Sequence, residues 1–333
     1  MSASTFQVER AAATEAKAWQ GTGSPLRTRG HRYPSLTATV PKELVHRASV
    51  AEVLLTDWER IDDTHFTVTA QWPRSHSFYT PVTGGYHDPL LCGETIRQIG
   101  SLLAHAEFGV PFGHHFLWWD VSLNVHPEHL QVRSTPASLD IEVTCVEVKR
   151  RGGMLSWLSY EAVVRREGEV VATGRLSYTC ASPAVYQRLR PEHVLTGDHR
   201  PLPLTAPVAP QSVGRLSPTD VVLSPVGKPN QWQLRVDTLH PVLFDHPVDH
   251  VPGMTLLEAA RQAAAATLGR SSFLPLSVSG DFKRYAELDA PCVIEARLLP
   301  QDGPGTDDAV YVTGHQNGEL VFSSTVTAAP HVA

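Results

Sequence analysis

The chain has 333 residues, a formal net charge of -6 and a pI of about 6.3, with 42% hydrophobic and 19% charged residues. That length accommodates two ordinary domains with separate cores, and the acidic balance argues against a nucleic-acid-binding protein, which would carry a basic surplus. Cys92, Cys145, Cys180 and Cys292 show no C-x-x-C spacing, so neither a zinc site nor a disulfide framework is expected, and reduced thiols in a cytoplasm are the simplest reading.

No basic-then-apolar leader opens the sequence, and no window approaches the roughly 18 apolar residues that span a bilayer. The expectation is a cytoplasmic protein with no membrane contact. Residues 1–40 are rich in Ala, Thr, Ser, Gly and Arg without periodicity and are expected to form a flexible tail. Order is expected from near Val45. Val53-Leu54-Leu55 and the alternating run from Thr64 to Trp72 predict strands. A helix is predicted from Pro89 to Glu107, stopped by Gly109 and Pro111. Phe116 to Val125, Leu139 to Val148, Leu155 to Arg165 and Val170 to Cys180 are β-type segments, rich in β-branched and aromatic residues.

Residues 186–213 hold many prolines without apolar periodicity and are expected to be a linker. The order then repeats. Val221 to Leu223 and Gln231 to Val236 mirror the first strands, and a second helix is predicted from Gly253 to Leu268. Strands follow at Leu276 to Phe282, Cys292 to Leu299, Ala309 to Gly314 and Leu320 to Ala328. A period this long marks a duplicated domain rather than a solenoid. The expectation is two domains, 41–185 and 214–333, of α+β class. In each, an antiparallel sheet wraps one long helix, the order of a tandem hot-dog fold.

The duplication carries a motif. Glu94, Arg97 and Gln98 at the first helix start recur as Glu258, Arg261 and Gln262, a constant 164 positions later, and His76 recurs as His240. On a helical wheel Arg97, Gln98, Ser101 and His105 lie near Glu94, with Leu90, Leu91 and Leu102 flanking the stripe. One reading is a solvated face with Glu–Arg pairs one turn apart. The other is chemical: a carboxylate among apolar neighbours can have its pKa raised into the general-base range. Backbone N–H groups near Gly253 or Gly93 can polarise a thioester carbonyl. Arginine can grip a phosphate.

The segment Phe244-Asp245-His246-Pro247-Val248, Pro252-Gly253 and Leu256 to Gln262 resembles the dehydratases of fatty-acid synthesis. It departs from them in two ways. Asp249 and His250 are extra residues, and Val242 stands where the dehydratase histidine would be.

Val45 to Ser49, Glu52 to Trp58, Ala70 to His76, Asp88 to Leu91, Glu94 to Gln98, His105 to Pro111 and Asp249 to Gln262 resemble, in that order, the A-factor biosynthesis family. The resemblance implies a double hot-dog enzyme of γ-butyrolactone or butenolide autoregulator synthesis. Such an enzyme moves a β-ketoacyl group from acyl carrier protein onto the hydroxyl of dihydroxyacetone phosphate. It also implies active-site roles for Glu94 and Arg261. On this reading Glu94, or alternatively Glu258, takes the hydroxyl proton. Arg261, with Arg97 or the Lys283-Arg284 pair, holds the phosphate. Gln98, Gln262, Gly253 and His250 complete the candidate substrate-binding set.

No cofactor is implied and no metal site is expected. His246 and His250 straddle Pro247, and His114 and His115 point to opposite faces of a strand. Lys149-Arg150-Arg151 and Arg165-Arg166 flank turns, either as solvated charge or as a docking point for an acidic carrier protein. Trp118-Trp119 is expected to place one ring in the core and the other at a boundary. A hot-dog thioesterase or dehydratase, and a non-catalytic acyl-ligand sensor, are the competing functions. A monomer and a homodimer are both compatible with the sequence.

Overall fold

The computed structural model describes residues 37–329 apart from 82–83, 191, 196–199, 301–302 and 304. The expected tail over residues 1–36 lies outside the described residues. Val40 is already buried and donates its N–H to Leu55 O at 3.0 Å, so ordered structure begins ahead of Val45.

The first half runs β1 (Leu55–Arg60), β2 (His65–Trp72), α1 (Pro89–Ala106), β3 (His115–Val125), β4 (Ala137–Arg151), β5 (Met154–Arg166) and β6 (Glu169–Ala181). Two short helices follow, α2 (Pro183–Leu189) and α3 (Glu192–Leu195). The second half runs β7 (Leu223–Pro225), β8 (Gln231–Leu234), α4 (Gly253–Leu268), β9 (Pro275–Phe282), β10 (Cys292–Leu298), β11 (Asp308–Gln316) and β12 (Glu319–Ala328). All strands join one antiparallel sheet in the order β1-β2-β4-β5-β6-β3-β9-β12-β11-β10-β8-β7. Numbered within its own half, the order reads the same from either edge, which is an approximate twofold relation centred on the β3–β9 seam. Across that seam Val121 pairs with Gly280 and Ser122 with Ser279.

Binary patterning accounts for the layering. In β2, Phe66, Val68, Ala70 and Trp72 face inward and alternate with exposed residues. α1 packs on strands of the first half and α4 on strands of the second. All of α1 except Arg97 and Ala106 is buried, so its polar stripe is enclosed and the solvated-face reading does not hold. The helix sits tightly on its sheet: Tyr160 donates its hydroxyl to Ile96 O at 2.6 Å and Tyr178 donates to Gly100 O at 2.7 Å. A Cβ at Gly100 would lie 2.7 Å from the Tyr160 hydroxyl oxygen, so glycine is required there. This arrangement is the double hot-dog fold.

The proline-rich stretch is more structured than a free linker. Besides α2 and α3, Val208 N–H donates to Leu223 O at 3.0 Å, the same contact that Val40 makes with Leu55, 168 positions earlier. Thr205 bonds Ser224 at 2.6 Å and Leu202 N–H donates to Leu288 O. Proline content concealed this, because an edge segment held by alternate backbone bonds tolerates proline. Among the described residues no helix is long and apolar enough to cross a membrane.

Candidate active site

Glu94 and Glu258 sit at the centre of two clusters that match atom for atom. Glu94 Oε1 accepts from Arg47 Nε (3.0 Å), Arg97 Nη2 (2.8 Å) and Gln98 Nε2 (2.7 Å), and its Oε2 from Arg97 Nε (2.8 Å) and Arg47 Nη2 (2.6 Å). Glu258 Oε1 accepts from Arg215 Nε (2.9 Å), Arg261 Nη2 (2.6 Å) and Gln262 Nε2, and its Oε2 from Arg215 Nη2 (2.7 Å) and Arg261 Nε (2.9 Å). A carboxylate offers about four lone-pair sites, and five donors saturate each one. Both glutamates are enclosed, at 1% and 0% exposure. The paired glutamines complete each cluster by bridging to the chain entering the sheet: Gln98 to Glu52 O and Leu54 N, Gln262 to Asp220 O and Val222 N.

The expected rise in glutamate pKa is therefore corrected. Burial alone would raise the Glu94 carboxyl, but the charges and hydrogen bonds of Arg47 and Arg97 outweigh it and hold the carboxyl at about 2. Arg215 and Arg261 do the same for Glu258, also at about 2. Arg261 spends its Nε and Nη2 on that carboxylate.

Neither Arg47 nor Arg215 is among the residues to which the helix motif points. They lie 168 positions apart, four out of step with the helix motif, so the two repeats do not fall in register by one offset. The available signal was Val45-His46-Arg47 against Val213-Gly214-Arg215. Each arginine follows a short 3-10 turn closed by a left-handed residue, His46 (φ 52) and Gly214 (φ 66). Each also crosses to the other half. Arg47 Nη1 donates to Val242 O (3.2 Å) and Arg215 Nη1 to Phe78 O (2.5 Å), with the Phe78 ring 4.1 Å from the Arg215 guanidinium. Val242, the position of the lost dehydratase histidine, thus contributes its backbone carbonyl to this interlock. His76 and His240 occupy equivalent places, each accepting two backbone N–H groups on Nδ1.

Where the halves differ is at the helix starts. Asp88 caps α1 by accepting from Leu90 N–H at 2.9 Å, and Pro89 at the first position has no N–H. The equivalent positions of α4 are Pro252 and Gly253. Pro252 supplies no side-chain cap, and its carbonyl accepts from Thr255 and Leu256. Among the described residues nothing accepts from the N–H groups of Gly253 and Met254, the positive end of the α4 dipole. A Cβ on Gly253 would fall 2.8 Å from Trp118 Cε3, and Phe282 lies beside it. The Trp118–Asp120 bulge in β3 sends Trp118 to this helix start, while Trp119 is half exposed on the other side. Gly93, by contrast, lies a full turn inside α1, where its N–H belongs to the helix ladder.

His250 stands three residues before Gly253, its Nδ1 2.7 Å from Asp249 Oδ1. Ala286 and Glu287 run antiparallel beside it, through the His250–Glu287 bridge and Val251 N–H to Ala286 O (2.8 Å). Lys283 and Arg284 are more than half exposed and carry loose ion pairs, to Asp281 (3.5 Å) and Glu319 (3.1 Å). The structure places His250 three residues before Gly253 and sets Lys283 and Arg284 directly after β9, where both backbone N–H groups donate to Val321 O, and it locks Glu94, Arg97, Gln98, Glu258, Arg261 and Gln262 into the two clusters.

The sequence model of the AfsA-type A-factor biosynthesis hotdog domain matches residues 30–182 and 197–331. A Streptomyces virginiae protein named 2-oxo-3-(phosphooxy)propyl 3-oxoalkanoate synthase is 55% identical over 291 residues, covering 87% of this chain and 98% of its own length. Proteins of the same name from Streptomyces coelicolor and Streptomyces griseus are 44% and 42% identical, each over 86% of this chain and over 91% and 94% of their own. A solved structure described as an oleoyl thioesterase from Lactobacillus plantarum superposes with a TM-score of 0.51 at 10% identity, over 81% of this chain and 99% of that one, a likeness of fold alone. With both halves matched by the domain and relatives aligned along nearly their whole length, the chain belongs to the A-factor biosynthesis hotdog family.

Proposed function

We propose that this chain is an acyltransferase that joins a β-ketoacyl thioester to the hydroxyl of dihydroxyacetone phosphate. The product is a 2-oxo-3-(phosphooxy)propyl 3-oxoalkanoate, on the route to γ-butyrolactone or butenolide signalling molecules. The observation that carries this reading is the 55% identity to a synthase whose name specifies both halves of that ester. The acyl donor is a thioester on an acyl carrier protein.

The proposed steps are built on the α4 start. The thioester carbonyl sits on the N–H groups of Gly253 and Met254, whose dipole stabilises the oxyanion as the acceptor oxygen adds to the carbonyl carbon. Collapse breaks the C–S bond and releases the carrier thiol. Trp118 and Phe282 keep the helix start apolar, which strengthens that interaction. Lys283 and Arg284 take the phosphate. Their present ion pairs are exposed and therefore weak, so exchange for a dianion costs little. The Glu94 and Glu258 clusters act from a distance, by fixing both helices to the chain that enters the sheet and to each other's half. In this reading Arg261 is a positioning residue.

Mass spectrometry of a reaction containing β-ketoacyl thioester and dihydroxyacetone phosphate is expected to show the phosphorylated ester, formed only when both are present. Free β-keto acid alone would identify a thioesterase instead. Replacing Lys283 and Arg284 together by alanine is expected to raise KM for dihydroxyacetone phosphate about 10-fold or more, since a charge-assisted hydrogen bond contributes roughly 1.5–3 kcal/mol. KM for the thioester stays near wild type. Steady-state kinetics in each substrate checks this, and equal effects on both constants would remove the phosphate role.

A further inference from the structure

We propose that His250, oriented by Asp249, accepts the hydroxyl proton of the acceptor and returns it to the leaving thiolate. The proposal rests on the acyl-transfer reading above and names the base which that reading lacks once both helix glutamates are saturated.

The pair is built into the fold. His250 Nδ1 lies 2.7 Å from Asp249 Oδ1, which leaves Nε2 as the outward nitrogen of a ring that is 29% exposed. Asp249 is itself held in place. Tyr186 donates its hydroxyl to both carboxylate oxygens at 2.7 Å, and Arg190 Nε reaches Oδ2 at 3.3 Å. Arg190 is fully enclosed and is gripped from the other side by both oxygens of Glu287, at 2.8 and 2.7 Å, with its guanidinium 4.1 Å from the Tyr285 ring centre. His115 stacks on Tyr186 at 3.5 Å, and Tyr285 meets His250 edge to face at 4.8 Å. Burial would raise the Asp249 carboxyl, but the hydrogen bonds from His250 and Tyr186 and the charges of His250 and Arg190 keep it low. The carboxylate therefore stays ionised beside the imidazole. A carboxylate on one ring nitrogen fixes the tautomer and stabilises the imidazolium that forms when the other nitrogen takes a proton.

The repeat provides an internal control. Position for position, Asp249 and His250 replace Gly85 and Tyr86 of the first half. Tyr86 and His250 make equivalent isolated bridges, to Gln131 and Glu287. The half whose helix start is closed by Asp88 and Pro89 has no such pair, and the half whose helix start is open at Gly253 has it. An oxyanion-binding end and a proton acceptor thus occur together, in one half only. His246 has no comparable setting: its Nδ1 lies 3.4 Å from Asp245, a carboxylate already taken by Ala48 N–H and Ser49 N–H.

The step balances without any further reagent. As the acceptor oxygen bonds to the thioester carbon, its proton passes to His250 Nε2. As the C–S bond breaks, the same proton passes to sulfur and the carrier leaves as a thiol.

The test is ester formation from β-ketoacyl thioester and dihydroxyacetone phosphate by the full chain. His250→Ala is expected to lower kcat by about 10²–10⁴-fold with both KM values near wild type, and added imidazole is expected to restore turnover in proportion to its concentration. His250→Gln keeps a hydrogen-bond donor for Asp249 but no proton acceptor, so it is expected to be as inactive as the alanine variant. Asp249→Asn is expected to lower kcat while leaving imidazole without effect, because the ring is present but misdirected. Wild-type kcat in His250→Gln, or activity lost in His250→Ala that imidazole does not restore, overturns the proposal. If wild type itself forms no ester, the acyl-transfer reading fails and takes this proposal with it. If wild type forms ester and His250→Gln does too, only this proposal fails.

Discussion

Glu258→Ala is expected to destabilise the protein by about 3–5 kcal/mol, the cost of leaving buried charges without their partner. Arg215 and Arg261 would remain at 3% exposure with no carboxylate between them, and Gln262 would lose an acceptor. Denaturant midpoints measure the loss. A variant with Glu258, Arg215 and Arg261 all replaced by apolar residues of similar size is expected to be more stable than Glu258→Ala alone, because it removes the unpaired charge as well as the bond. A Glu258→Ala midpoint equal to wild type would show that the cluster is not the lock described above. Glu94→Gln, in the matching cluster, separates positioning from proton transfer. A base would give lost kcat at unchanged stability, whereas a lock gives lost stability together with activity.

The same clusters set the acid limit. Both carboxyls lie near 2 in the folded chain, below their ordinary 4.5, so the unfolded chain binds more protons at acid pH. Their stabilisation is fully present above about pH 4.5 and fades as pH falls towards 2. Wild type is expected to lose midpoint across that window more steeply than Glu258→Ala, which has one fewer such group. Parallel slopes would contradict the depressed values.

The strands and helices were legible because β2, β10, β11 and most of β4 alternate between a buried and a more open face, because β5, β6 and β12 carry longer apolar runs, and because Gly109 and Gly269 follow the helix ends. β1 was read short. Thr56 to Arg60 is polar, as expected of an edge strand, and its pattern shows no alternation. The site was half legible. The recurrence of Glu94, Arg97 and Gln98 located both clusters, but the sign of the pKa shift depended on Arg47 and Arg215. Those two come from 3-10 turns remote in sequence, and no helical spacing points to them. Asp249 and His250 were visible as an insertion. Their pairing with Tyr186, Arg190 and Glu287 needed the fold, since that network joins α2, the loop before α4 and the loop after β9.

Gly253→Ala is expected to leave the chain folded and to lower kcat about 10²-fold. The added methyl would lie 2.8 Å from Trp118 Cε3 and 3.1 Å from Cζ3, closer than packed atoms tolerate, so the ring or the helix start must shift. Overpacking of this kind costs about 1–3 kcal/mol in stability. A displacement near 1 Å at an oxyanion donor costs about 10²-fold in rate. The φ at Gly253 is not in the left-handed region, so the effect arises from the contact with Trp118 rather than from backbone strain. Trp118→Leu removes the ring atoms that the methyl meets. The double variant is therefore expected to recover part of the kcat lost in Gly253→Ala, even though Trp118→Leu alone thins the apolar cover of the helix start. The coupling is read as a double-mutant cycle on kcat. Additive losses would mean that the glycine serves something other than clearance for the ring. Wild-type kcat in Gly253→Ala would mean that the α4 start is not where the thioester carbonyl binds. The matching position in α1 is already Pro89, which lacks an N–H altogether, so substitutions there are expected to change stability without this effect on kcat, because of the two duplicated helix starts only that of α4 presents uncapped donors of the kind the proposed step requires.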